Sequence, residues 1–202
     1  ISHLDLQRAF SRAIRRSDLP VALSKGFNPH FIVSFASALA LGIESECECA
    51  EIALECGVSP DEFFEAMKRA LPPGLEAKRA AVIRDGAPKL AASVREAEYA
   101  AYYKAEYPDR IKSAVCDIMD ADAVRISKGG KETDIKSMIF SLAFEGDVLI
   151  MRLAAAPSGS LRPDVLAGEI KKRAGDYPCR IVRTKLLAYE NGRKELLDAY
   201  KA

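Results

Sequence analysis

The order of local signals along this chain repeats: helix, strand, strand, helix, strand is read once before residue 84 and again after residue 89. That repetition restricts the chain to two small units built alike. Ser2-His3-Leu4-Asp5 reads as a helix start, a serine cap with an acid three residues on. Leu6, Phe10, Ala13 and Ile14 then fall on one side as far as Ser17, and Arg8, Arg12, Arg15 and Arg16 on the other. Asp18-Leu19-Pro20 stops the helix. Residues 21–24, 31–36 and 47–54 have strand character, and the run from Ser24 to His30 between the first two is full of turn formers. Ser59-Pro60-Asp61-Glu62 starts a second helix with a serine cap, a proline in the first turn and a glutamate closing a capping box. Residues 75–83 read as a returning strand.

Asp85-Gly86-Ala87-Pro88 marks the boundary, which divides the chain into residues 1–87 and 88–202. Beyond it, residues 98–106 read as a strand and 108–119 as a helix. Residues 125–127 start a strand broken at Lys128-Gly129-Gly130-Lys131, and 137–144 with 148–154 form a hairpin around Glu145-Gly146-Asp147. A helix over 163–172, a strand over 180–189 and a short tail over 195–201 complete the pattern. The expected fold is therefore α+β, two tandem ferredoxin-like (βαββαβ) units with helices on one sheet face. The first unit lacks its opening strand, which would leave backbone unpaired. Either upstream residues or the second half would then cover the gap.

Composition removes several classes of function. The 202 residues are 49% hydrophobic and 29% charged, enough for a folded core with a solvated surface. Net charge is +1, so an electrostatic partner has to be met by a local patch. Cys47, Cys49, Cys56, Cys116 and Cys179 are irregularly spaced, and with only two histidines they read as thiols in a reducing cytosol rather than a zinc site. No run of about 18 apolar residues occurs and no charged-then-apolar leader precedes the first helix, so a cytoplasmic protein with no membrane partner is expected.

The motifs Ser2-His3-Leu4-Asp5-Leu6, Ser24-Lys25-Gly26-Phe27-Asn28-Pro29-His30 and Leu41-Gly42-Ile43-Glu44-Ser45-Glu46 resemble one family. It is the radical-SAM-linked domain of unknown function (DUF2344), found fused to or beside cobalamin-binding radical SAM proteins. Lys128-Gly129-Gly130-Lys131, Asp134-Ile135, the stretch from Gly159 to Asp164 and Val182-Arg183-Thr184 fit as well. Phe31 and Ile32 stand where the family usually reads Pro-Lys, Ala40 where it reads Pro, and Lys185 where Gly is common. The resemblance implies a radical SAM protein as partner, fused or separate. That partner would carry the iron–sulfur cluster, S-adenosylmethionine and cobalamin. This chain has no C-x-x-x-C-x-x-C motif and needs no cofactor of its own.

Candidate contacts are few, and each has a plainer alternative. Arg8, Arg12, Arg15 and Arg16 suit phosphate as bidentate donors, or form a solvated helix face. In the 24–30 loop, Lys25 brings charge, Gly26 close approach, Phe27 a stacking surface and Asn28 a base-edge reader. The same residues with His30 also make a structural turn. His3, His30 and Asp5 are the catalytic candidates, as an acid–base pair or a loose metal site, against structural roles. No metal is expected. Lys128, Gly129, Gly130 and Lys131 read as an anion-accepting turn or a flexible hairpin, without the ending of a nucleotide-hydrolysing P-loop. Arg162 and Arg183 either contact a ligand or pair with an acid. The favoured reading is a non-catalytic accessory domain that binds RNA and presents it to the radical SAM partner. The alternatives are a protein-docking module and, third, an RNA-processing enzyme using His3 and His30.

Overall fold

A computed structural model describes residues 2–104, 108–189 and 192–200. The ends of two expected elements, 105–106 and 201, lie outside the described residues. Among the described residues the architecture is mixed α/β, with five α-helices and a mixed sheet. No helix among the described residues is long and apolar enough to cross a membrane.

Helix α1 (His3–Arg16) begins where its cap predicts: the Asp5 amide donates to the Ser2 hydroxyl at 3.2 Å, and that hydroxyl donates to the Asp5 carboxylate at 2.7 Å. Helix α2 (Pro60–Ala70) carries the full capping box, Glu62 accepting from the Ser59 amide at 3.0 Å. Between them lie β1 (Val33–Phe35), β2 (Glu44–Ser45) and β3 (Ala50–Ile52), with β1 and β3 paired antiparallel. Ala13, Ile14, Val21, Met67 and Ala70 form the small core beneath the two helices. Burying each larger side chain there is worth about 1.5–3 kcal/mol. Arg16 locks the helices together by donating to the Ala70 carbonyl at 2.6 Å, one of the acceptors that the end of α2 leaves without an internal donor.

After a single turn, α3 (Leu90–Ser93), the chain builds a larger sheet. Strand β4 (Val94–Tyr103) leads to α4 (Pro108–Asp120), the hairpin β5 (Arg125–Lys128) and β6 (Lys131–Asp134), and then β7 (Ile139–Glu145) and β8 (Val148–Ala156). The two-residue β9 (Gly159–Ser160), α5 (Pro163–Ala174), β10 (Cys179–Tyr189) and β11 (Arg193–Glu195) follow. The order across the sheet is β11–β10–β4–β8–β7. Strand β2 reaches over from the first half and pairs parallel with β10 at Val182 and Arg183, which makes the sheet mixed. Alternate residues of β4, β8 and β10, such as Ala97, Met151 and Ile181, face Ile111, Ile118, Leu166 and Ile170 of α4 and α5. Ala36, Cys47 and Cys49 of the first half join this second core.

Two expected strands are absent. Residues 21–24 join their neighbours only through the single bridges Val21–Leu54 and Leu23–Phe31. Residues 75–80 run outside any strand, because no described neighbour offers them a ladder.

Candidate nucleic-acid interface

The Ser24–His30 loop is closed at its base. The Ser24 amide donates to the His30 carbonyl at 2.8 Å and the His30 amide to the Ser24 hydroxyl at 3.1 Å. That hydroxyl also bonds His30 Nδ1 at 2.8 Å. Gly26, at φ +139°, supplies the turn that a side chain would resist. The result is a fixed loop whose tip is Phe27, 107% exposed, with Lys25 and Asn28 exposed beside it. A phenylalanine held wholly in water adds nothing to the core and offers both ring faces to a ligand.

Helix α1 stands next to this loop. The Arg15 guanidinium lies 6.0 Å from the Phe31 ring centroid, and Phe31 bridges Leu23 at the neck of the loop. Arg12, one turn earlier on the same face, is exposed and makes no ion pair among the described residues. No acidic residue occurs between Asp18 and Glu44. Arg15 thus lies at the neck of the loop whose tip carries Lys25 and Phe27, with Arg12 one turn earlier on α1, a set of residue types suited to phosphate and to a stacked base.

The other expected contacts are dispersed or already engaged. Arg8 pairs with Asp5 at 3.2 Å, and Arg16 is spent on α2. The Lys128–Lys131 turn closes the β5–β6 hairpin, which belongs to the second core, whereas α1 belongs to the first. Gly129, Gly130 and Lys131 are exposed, and the Lys128 side chain lies outside what is described. Arg162 forks onto Asp164 at 3.0 and 2.7 Å. Arg183 is buried against Glu48.

His3 and His30 serve different neighbours. His3 sits edge-on to Phe35 with ring centroids 5.5 Å apart and bonds the Gln7 side chain at 3.1 Å, while His30 fastens the loop. Asp5 sits in the first turn of α1 beside its Ser2 cap, and the Ser2 hydroxyl and then Arg8 hold its carboxyl below the usual range. Among the described residues no three His, Cys, Asp or Glu side chains converge as metal ligands. Burial pushes the Cys47 and Cys49 thiols up to about 12 and about 11, so both are protonated at neutral pH.

Sequence reasoning missed the partners of Arg183, because Glu48 and Ser37 lie far away in the chain. The unpaired backbone expected in the first unit is found at β3, which pairs only with β1 among the described residues. No curated protein matches the chain. A family model matches residues 1–163, and the chain belongs to that family, described as an uncharacterized protein conserved in bacteria (DUF2344).

Proposed function

We propose that this chain is a non-catalytic accessory domain of a cytoplasmic radical SAM system, and that it holds RNA for modification by its partner. The observation that carries the RNA reading is Phe27, wholly exposed on a loop that Ser24 and His30 hold shut. Base stacking on such a ring is worth about 1–3 kcal/mol, and the neighbouring Arg12, Arg15 and Lys25 supply phosphate contacts. The radical SAM partner, carrying the iron–sulfur cluster, S-adenosylmethionine and cobalamin, is inferred from the Ser24–His30 motif and its companions.

Two tandem ferredoxin-like units, residues 1–87 and 88–202, are the fold reading that goes with this proposal. The sheet order β10–β4–β8–β7 supports it for the second unit, being fourth, first, third and second in chain order among that unit's four long strands. A docking module without nucleic acid is the second reading. It is favoured by the engagement of Arg16, Arg162 and Arg183 within the chain and by Leu41, 70% exposed.

The test is titration of the protein into a labelled single-stranded RNA at low salt. Phe27→Ala should weaken binding about tenfold or more. Arg12→Glu with Arg15→Glu should weaken it further and flatten the salt dependence by about 0.7 for each phosphate no longer neutralised. An RNA that does not bind the parent protein, or binds all three alike, overturns the RNA reading in favour of docking.

A further inference from the structure

Helices α4 and α5 pack on one face of the larger sheet, and the strand register lays out what stands on the other. Across β10, β4, β8 and β7, a middle row on that face reads Val182, Ala100, Ile150 and Ala143. A sheet face left to water carries polar side chains, but this row is apolar on all four strands. Ala100 and Val182, each 3% exposed, belong to neither core. In the row above, Tyr102 is 40% exposed, and the Arg180 guanidinium lies 5.3 Å from its ring centroid.

The row below holds Lys185, Glu98, Arg152 and Ser141. Lys185 Nζ lies 2.8 Å from Glu98 Oε1, and the Thr184 hydroxyl donates to the same oxygen at 3.1 Å, which leaves Glu98 Oε2 open. Arg152 donates from Nε to Ser141 at 2.7 Å and makes no ion pair among the described residues. An acid and a base with unused capacity thus stand next to each other on the two central strands. The face as a whole is balanced: Glu44, Glu98 and Glu145 offset Arg152, Arg180 and Lys185. A polyanion gains nothing from such a surface.

A second copy of this chain does. Half a turn about a line between β4 and β8, parallel to the strands, exchanges β4 with β8 and β10 with β7 and keeps each row level. Glu98 then faces Arg152 of the second copy, and Arg180 faces its Glu145. Ala100 faces Ile150 and Val182 faces Ala143, so small residues meet larger ones. We infer that this open face is a homodimer interface, in which two copies stack their larger sheets about that two-fold axis. Strands about 4.8 Å apart and residues about 3.4 Å apart along them give a footprint of about 500 Å² per copy. That lies at the lower end of specific interfaces, so the dimer is a dissociable one. It stands whether or not the Phe27 loop binds RNA.

The test is sedimentation velocity of the full chain across about 1–200 µM, a range over which an interface of this size should pass from monomer to dimer. Arg152→Glu alone, or Glu98→Arg alone, sets like charges opposite each other across the axis and should weaken self-association at least about tenfold. An equal mixture of the two variants should recover it, because each acid then meets a base of the other chain, and that recovery shows that both fold. If circular dichroism finds either charge variant unfolded, Ala143→Glu at its exposed position decides, and it too should weaken the dimer about tenfold or more. A parent chain still monomeric at about 200 µM overturns the inference. So do folded single variants that associate as well as the parent, or a mixture of folded variants that does not recover. An RNA that binds a monomeric parent and is lost in Arg152→Glu overturns it as well, and gives the face to a polyanion.

Discussion

The Arg183 guanidinium lies 2.9 Å from the Glu48 carboxylate, with the Arg183 side chain 1% exposed. Ser37 accepts a hydrogen bond from Arg183 at 3.1 Å, and the Ser45 hydroxyl donates to the same Glu48 oxygen at 2.6 Å. Glu48 and Ser45 belong to the first half and Arg183 to β10, so this contact clamps β2 onto the larger sheet. The Nη2 contact is ionic rather than well aligned, and Nε has no hydrogen-bond partner among the described residues. Truncating Arg183 strands the Glu48 carboxylate at a largely covered site.

Arg183→Met should accordingly lower unfolding stability by about 3 kcal/mol, measured in urea. Adding Glu48→Gln should recover part of the loss, since the carboxylate no longer needs a counter-charge. Independent, additive losses in the two single variants would remove the clamp from the account.

The hairpin turn makes a second stability prediction. Gly129 and Gly130 sit at φ +59° and +79°, and nothing lies within 4 Å of a Cβ built at either. Only conformation is at stake there. Gly130→Ala should destabilise by about 1 kcal/mol, whereas Gly129→Asn should be close to neutral, because asparagine tolerates this region. A neutral Gly130→Ala in urea unfolding would mean that the turn is not held in this geometry.

These cases show what is legible from the sequence. Both long helix starts in the first half are, because Ser2 with Asp5 and Ser59 with Glu62 satisfy their own amides within four residues. The Gly129-Gly130 turn is legible for the same local reason. Residues 75–83 are not, since being a strand depends on a neighbour that the residues themselves do not specify. Arg183 reads from the sequence as a ligand contact or a lone ion pair. Its burial depends on residues 37 and 48, over a hundred positions away, and spacing carries no trace of that. The Phe27 loop is legible as a turn, but whether the ring points in or out has to come from its closure by Ser24 and His30.

Acid should weaken the fold over a defined window. The Arg180 side chain lowers the Glu44 carboxyl, the Ser59 amide lowers Glu62, and the amides of Lys136 and then Val124 lower Asp134. Ser2 does the same for Asp5. Each group binds its proton more tightly in the unfolded chain than in the folded one, so its stabilisation is complete above the ordinary carboxylate range. That stabilisation is lost as pH falls through the lower folded value. The urea midpoint should be level above about pH 5 and fall below about pH 4. Asp134→Asn should lower the plateau and make the acid decline shallower. A midpoint unchanged down to about pH 2.5 would contradict these lowered values.

The cysteines divide by environment, and their chemistry should divide with them. Cys56 and Cys116 are exposed, whereas Cys47, Cys49 and Cys179 are half-buried with their thiols pushed up to about 12, 11 and 11. Alkylation proceeds through the thiolate, so at about pH 8 iodoacetamide should label Cys56 and Cys116 first, as read by peptide mass spectrometry. Cys47 and Cys49 also line a cleft beside β3. Mild urea should raise labelling of Cys47 and Cys49 together, since both pack on the second core beside the Arg183–Glu48 clamp. Fast labelling of Cys47 in the folded protein would show that the thiol is neither covered nor raised, and the packing of residues 45–49 against β10 would have to be redrawn.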